Sequence, residues 1–553
     1  MNIEIILENT SERLSVEQGT SLQEVARQYA HVCQHPILGA TVNNEVNSLD
    51  YRLYTPKSIR LFDLTDRQGL RMYTRSLIFM LYKALKDLYP EASLRMEHST
   101  LCGHFCHVTG VDVPQIELVR QLRDRMIELQ QADLPFEQHT MLLSDALPLV
   151  EHVPSTQQLL SQLDQIYITL QCLDGTYHKL AHRMVPSTGC LTVWDFRPFN
   201  DGFLLQSPDL HQPSKLLLYQ DTPKLFTIFQ EHHNWAHLLS VPDIYYLNWA
   251  IREKEGNKVI QVAEALHEKK YAAIADAIAQ RPDVKVVLLA GPSSSGKTTS
   301  CRRLAVQLAV LGYHVYQLSL DDYFLSRELT PRQPNGDYDF ECLEALDIPL
   351  LNKQLNQLFD GEDVVVPTFD FIQGKPLFNR KPMRLKPRDG KKPILLVEGI
   401  HALNPKLTEQ IPANLKFKVY VSALTQVAID DHNIIHTSDN RLIRRIVRDN
   451  NFRGNSALST LARWESVRAG EEKHIFPFQE EADAIFNSAL IYELAVLRPL
   501  VEPLLKKVPQ NKPEYAEARR LLDIVELVEP INPHHIPPTS VLREFLGDSS
   551  FEY

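Results

Sequence analysis

The spacing of apolar positions changes along the chain and divides it into four parts. Ile3-Glu4-Ile5-Ile6-Leu7 reads as a strand, and Ser15-Val16 ahead of Gly19-Thr20 as the other arm of a hairpin. Ser21 is placed to cap a helix running to about Tyr29, with Leu22, Val25 and Ala26 at helical spacing. Short strands follow around Gly39–Val42 and Ser58–Leu61, so residues 1–65 are predicted to form a small mixed α+β unit. A second α+β unit, 66–225, opens on a helix from Ser76 to Leu88 with Leu77, Met80, Leu81 and Leu85 on one side. It carries strand-like pieces and a further helix around Gln115–Gln130. From 226 to 282 the helical period persists, as in Lys258–Ala279, and a helical connector is expected. From 283 to 553 buried-type strands alternate with helices, the pattern of a parallel sheet in an α/β body. Near its end, Pro530, Pro533, Pro537 and Pro538 mark an extension.

A chain of 553 residues needs several cores. Apolar residues make up 44% and charged residues 23%, the balance of an ordinary globular protein. The net charge of −11 argues against a protein whose main task is coating nucleic acid. Seven cysteines without framework spacing suggest a reduced compartment. Met1-Asn2-Ile3-Glu4 lacks the basic start and apolar core of a signal peptide, and no apolar run reaches the ~18 residues that span a bilayer. A cytoplasmic protein without a membrane segment is expected; a homo-oligomer is left open.

The sharpest motif is Gly291-Pro-Ser-Ser-Ser-Gly-Lys-Thr-Thr299, which satisfies G-x-x-x-x-G-K-[ST]. The apolar run Val286–Ala290 precedes it and a helix-compatible stretch, Thr299–Leu311, follows. Small residues at Ser293, Ser294 and Ser295 let the backbone curl round a phosphate, with Gly291 and Gly296 at the ends. Lys297 is expected to reach the β- and γ-phosphates of ATP, and the Thr298 hydroxyl to hold Mg²⁺. Asp321, in Ser319-Leu-Asp-Asp-Tyr-Phe324, follows the next predicted strand and is placed to take a proton from an attacking hydroxyl or to touch the metal. Glu398 ends the apolar run Ile394–Val397, the Walker B layout, and is expected near Mg²⁺. Arg441, Arg444, Arg445 and Arg448 recur at i, i+3, i+4 and i+7, so they share one helix face. Like charges at that spacing repel by roughly 0.2–0.5 kcal/mol per pair, which a bound phosphate would offset. The alternative is a solvated basic face partly paired with Asp449.

These motifs, in this order, resemble the uridine kinase and phosphoribulokinase family over about residues 283–490. The resemblance implies that Asp321 is the general base and a metal-shell ligand. It aligns Tyr338-Asp339-Phe340-Glu341 and Phe369-Asp370-Phe371 with substrate-binding motifs, and Tyr323 and Phe324 with the residues after the base. It aligns Arg444-Arg445-Ile446-Val447-Arg448-Asp449 with the lid helix and Arg453 with a lid arginine. Arg445 and Arg448 then serve catalysis and substrate, and Arg453 the nucleotide. Phe369 stands where uridine kinases carry a tyrosine, no histidine stands near Gly374, and Asn455 matches their second lid arginine. The phosphate machinery is kept while the base-reading groups are changed.

The front of the chain resembles threonyl-tRNA synthetases. Residues 1–65 are similar to their TGS domain, a β-grasp module. Lys86-Asp-Leu-Tyr-Pro90 and Val185-Pro-Ser-Thr-Gly189 match their editing domain, which 66–225 resembles. Phe79 and Lys83 stand where that domain has two histidines, and Leu180 and Met184 where it has a cysteine and a histidine. A scaffold or binding module without editing chemistry is implied. The expectation for the whole is an ATP- and Mg²⁺-dependent kinase for a nucleoside 5′-hydroxyl. The alternatives are a kinase for a sugar phosphate or pantothenate-like compound, or an RNA- or nucleotide-sensing protein built on a kinase fold. His98, Cys102, His104, Cys106 and His107, with His178, His182 and Cys190, have soft and imidazole donors that suit Zn²⁺, but no C-x-x-C pair is present and a strand carrying Cys102, His104 and Cys106 on one face is the favoured reading. The basic stretch Arg380–Lys392 is read as a solvated hairpin.

Overall fold

The computed structural model describes residues 1–552 apart from 101–102, 181–182, 333–335, 337, 371–372 and 426; side chains 98–100 and 379–380 are also left aside. Of the residues named above, Cys102, His182 and Phe371 and the side chains of His98 and Arg380 therefore lie outside the described set.

The first unit is a five-stranded mixed sheet in the order Glu12–Glu17, Asn2–Leu7, Lys57–Phe62, Gly39–Val42, Glu45–Asn47. Asn2–Leu7 runs parallel to Lys57–Phe62 at the centre and antiparallel to its hairpin partner. The helix Leu22–Gln28 starts with a capping box in which Ser21 and Glu24 satisfy each other's backbone N–H. It lays Leu22, Val25 and Ala26 on Ile5, Leu7, Ile59 and Leu61 of the sheet.

The second unit is organised by a helix longer than the apolar pattern predicts, Arg67–Leu88. The Asp66 side chain caps it by accepting the Gln68 N–H, ten residues before Ser76. A four-stranded sheet, Asp195–Phe199, Gly202–Gln206, Gly103–Thr109, Ser93–Thr100, and the helix Gln115–Ala132 pack around it. A second, three-stranded sheet is made of Thr176–His178, Tyr167–Leu173 and Glu137–Leu142. Phe79 is fully buried beside Phe136 and His178. Lys83 forms ion pairs with Asp87 and Asp174 at 2.8 and 3.3 Å. Leu180 and Met184 are buried, and Met184 Sδ accepts the Ser76 hydroxyl. All four positions are spent on packing and ion pairing.

The third body is built on a five-stranded, all-parallel sheet ordered Tyr313–Ser319, Lys392–Glu398, Val286–Ala290, Lys416–Ser422, Ala484–Asn487. Both faces are covered, which explains why Val286–Ala290 reads as one unbroken apolar run. Alternate residues serve opposite cores: Leu288 and Ala290 face one, Val287 and Leu289 the other. The stretch expected to be a connector contributes here. Its helix Gly256–Ala279 lays Tyr271, Ile274 and Ile278 directly on the sheet face with Val287 and Leu289. Arg303, on the helix Lys297–Val310, pairs with Glu264 and Glu268 of the helix Gly256–Ala279 at 3.2 and 2.6 Å.

The front units dock on this body through polar contacts and through apolar ones, Ile434 entering the core of the second unit and Leu159 that of the third body. Arg71 pairs with Glu517 at 2.6 Å, and Thr156 and Ser155 donate to Asp430 and Asp431 at 2.9 and 2.7 Å. A cavity of about 400 Å³ opens between them, lined in part by Arg71, Lys179, Arg519 and Arg520. Arg71 and Arg520 pair with Glu517 and Asp439, Arg519 pairs with Asp523, and Arg183 donates to the Gln138 side-chain oxygen at 2.6 Å. Among the described residues, no helix is long and apolar enough to cross a membrane.

Candidate active site

The strand Val286–Ala290 delivers the chain into the turn Gly291–Gly296, and the helix Lys297–Val310 leaves it. A Cβ at Gly291 would lie 1.9 Å from the Val421 carbonyl oxygen, so only glycine fits between the two strands. Gly296 precedes the helix at φ +79°, a left-handed conformation that favours glycine. The first-turn N–H groups of the helix have no partner within it, which makes the turn an anion-binding site. The Lys297 ammonium folds back onto the Pro292 carbonyl at 2.9 Å. Burial lowers its pKa, against the pull of Glu398 and Asp321.

The parallel register sets Glu398 level with Leu289 and Ser319 on its two neighbouring strands. Its carboxylate accepts the Ser319 hydroxyl at 3.2 Å and lies 3.5 Å from the Thr298 hydroxyl. Burial, then repulsion by Asp321, pushes its pKa up to about 7. Asp321 sits in the 3₁₀ turn that leaves the strand Tyr313–Ser319, its N–H on the Ser319 hydroxyl at 3.3 Å. Burial raises its pKa too, opposed by Lys297, Arg453 and Arg448. One ammonium, one hydroxyl and two carboxylates thus share one field at the mouth of the turn. These hard oxygen donors suit Mg²⁺.

The aromatic and acidic positions divide. Phe324 and Phe369 meet edge to face at 5.7 Å, and the Asp322 carboxylate accepts the Phe369 N–H at 3.3 Å. Tyr323 instead faces the core, with its hydroxyl on Gln354 at 2.7 Å. Phe340 is exposed beside Tyr338, and Asp339 accepts the Glu341 N–H at 3.2 Å. Glu341 is pushed up to about 7 by burial and then by Glu471, against Arg445 and Lys297. Gly470 lets it approach, because a Cβ there would lie 2.5 Å from the Glu341 Cβ.

The helix Thr437–Arg453 carries the arginine cluster, but the four side chains do not form one phosphate-facing set. Arg441 and Arg444 are buried and bonded to Glu471 and Glu493. Arg441 holds the Ser293 carbonyl at 2.9 Å, and Arg444 the Ser488 carbonyl at 2.9 Å. The repulsion expected from their spacing is offset by carboxylates far away in sequence rather than by a phosphate. Arg445 donates to the Ser293 hydroxyl at 2.7 Å, while Arg445, Arg448 and Arg453 lie 3.3, 2.9 and 3.8 Å from Asp449. Glu471, Glu493 and Ser488 escaped the sequence reading because no local pattern marks them.

Among the described residues the donors considered for zinc do not gather. Cys106 is buried in the second unit, His104 is half-buried there, and His107 lies 3.9 Å from Asp201. Among the described residues the group with converging donor atoms is Glu137, His139 and Cys172, at a sheet edge, where His139 is already hydrogen-bonded to Glu137 at 3.1 Å.

Residues 286–493 match the model of the phosphoribulokinase/uridine kinase family. A uridine kinase of Lactobacillus helveticus is 30% identical over 201 residues, 36% of this chain and 84% of its own length. Uridine kinases of Borrelia duttonii and Staphylococcus aureus (strain JH9) are 28% and 29% identical, over 40% and 36% of this chain and 97% and 86% of theirs. The D-glycerate 3-kinase of Cryptococcus neoformans, a solved structure, covers 48% of this chain and 87% of its own at 14% identity and a TM-score of 0.22, and that likeness carries no argument.

Proposed function

Because the chain belongs to the phosphoribulokinase/uridine kinase family and is an ATP-dependent kinase, we propose that it transfers the γ-phosphoryl of ATP to the 5′-hydroxyl of a nucleoside. The observation that carries this reading is the shared field of Lys297, Asp321 and Glu398 at the end of the Gly291–Gly296 turn. In this reading Gly291, Ser293–Ser295, Gly296, Lys297, Thr298 and Thr299 bind the nucleotide. Thr298, Asp321 and Glu398 would hold Mg²⁺, which would supply charge neutralisation on the phosphates.

Asp321 takes the proton as the acceptor oxygen bonds to the γ-phosphorus and ADP leaves. Its raised pKa makes it a better base than an aspartate of ordinary pKa. Arg445 and Arg448, with Arg453 on the nucleotide side, neutralise charge spread over the phosphoryl oxygens. Their present hold on Asp449 is a resting arrangement that substrate phosphates replace. Phe324, Phe369, Phe340, Asp339 and Glu341 form the acceptor side. Tyr323 contributes by fixing the turn that presents Asp321, since its hydroxyl is engaged in the core.

The same reading takes residues 1–65 as a TGS-like β-grasp module and 66–225 as an editing-like module without hydrolytic residues. Residues 226–282 lead into a kinase body, 283–553, in a cytoplasmic protein. Single-turnover phosphorylation by Asp321→Asn tests the assignment. A rate within a few-fold of the parent would move the base to Asp322 or Asp339.

A further inference from the structure

The Thr299 N–H and hydroxyl, in the first turn of the helix Lys297–Val310, already have an occupant, and it comes from 245 residues further along the chain. The Glu544 carboxylate accepts the Thr299 hydroxyl at 2.8 Å and the Thr299 N–H at 3.3 Å. The neighbouring residues hold it there. Val541 stands against Gly296, so that a Cβ on the glycine would lie 2.4 Å from the Val541 Cγ1. Ser540, Val541, Leu542 and Phe545 are fully buried. The segment is also tied to the arginine helix: the Arg444 guanidinium lies 5.1 Å from the Phe545 ring centre, and Asn451 donates to the Phe545 carbonyl at 3.2 Å. Glu544 itself is only partly buried.

We propose that residues 540–546 form an autoinhibitory strap, in which the Glu544 carboxylate occupies phosphate-binding donors of the nucleotide loop and bound nucleotide must displace it. The proposal rests on the P-loop reading above and adds its regulation. The helix N-terminus and loop amides that favour phosphate favour any anion, and a carboxylate on a neighbouring segment competes at high effective concentration. Apparent nucleotide affinity is then reduced by the fraction of molecules in which Glu544 is released. A strap closed in about nine molecules of ten lowers affinity about tenfold. Whatever draws the Arg543–Leu546 turn away from the arginine helix activates the enzyme.

The test uses the full-length chain and its Glu544→Ala and Glu544→Gln variants, with ATP and ADP affinity read by calorimetry in the presence of Mg²⁺. Glu544→Ala is expected to bind both about tenfold more tightly, with kcat within about twofold of the parent. Hydrogen exchange over 540–547 of the parent, with and without saturating ATP, supplies a readout that needs no variant, and faster exchange with ATP is expected. Unchanged or weaker affinity in folded Glu544→Ala, or no gain in exchange at 540–547 of the parent, overturns the strap while leaving the kinase reading in place. Absence of nucleotide binding by the parent and by both variants overturns the P-loop reading, and the strap with it.

Discussion

Removing the Glu493 carboxylate distinguishes an arginine that braces the fold from one that awaits a phosphate. Arg444 is fully buried and its guanidinium pairs with Glu493. Glu493→Gln keeps the volume and leaves a cation inside the protein. Breaking a buried pair by removing one partner costs about 3–5 kcal/mol. Arg444 would keep the Ser488 carbonyl at 2.9 Å and hydroxyl at 3.2 Å, which argues for the lower end, about 3 kcal/mol. Glu493 also accepts the Leu490 N–H at 3.2 Å, and a glutamine oxygen can still do so. The loss should appear as local opening, since a chain of several bodies has no single unfolding free energy. Native-state hydrogen exchange of the amides of residues 442–447 should quicken about a hundredfold, the equivalent of ~3 kcal/mol. Arg444→Met combined with Glu493→Leu, which removes both charges, should restore most of the protection. Exchange within about threefold of the parent in Glu493→Gln, or an Arg444→Met variant that loses only ATP affinity, would refute the bracing role.

Lys297→Ala should abolish phosphoryl transfer and weaken ATP binding while circular dichroism stays that of the parent. Asp321→Asn should slow single-turnover transfer by ~10²–10⁴ and leave ATP affinity nearly unchanged; a loss rescued by raising Mg²⁺ would make it a metal ligand instead. Glu398 is held up at about 7, so it binds a proton at mildly acidic pH and competes with a cation there. Mg²⁺ affinity should therefore rise with pH, level off above about 7, and be accompanied by proton release that Glu398→Gln reduces; a flat calorimetric profile from pH 5.5 to 8 would refute this. The whole chain should not hydrolyse Ser-tRNA, because Phe79, Lys83, Leu180 and Met184 are engaged in packing and ion pairing; robust deacylation in a radiolabel assay would contradict the reading of the second unit.

The nucleotide loop was legible because its requirements are local. Glycines at fixed offsets, small residues between them and an apolar strand in front each act over a few residues, and the strand, turn and helix follow in that order. The parallel sheet was legible for a similar reason, since strands covered on both faces must be apolar throughout. The arginine helix was legible as a helix and as a cluster, but not in its division of labour. Whether a guanidinium braces or waits depends on Glu471 and Glu493, which arrive from later helices. The helix Gly256–Ala279 read as a connector because its period is the same whether it bridges bodies or covers a sheet. Glu544 could not be found from sequence at all. Nothing in Leu542-Arg-Glu-Phe545 signals a partner 245 residues away.

Incubating the purified chain with ATP, Mg²⁺ and each common ribo- and deoxyribonucleoside in turn, with products followed by ³¹P NMR, tests nucleoside phosphorylation itself. At least one nucleoside should yield its 5′-monophosphate and ADP in equal amounts, at a rate that Lys297→Ala removes. No nucleoside monophosphate above the Lys297→Ala background, across the whole panel, would contradict it.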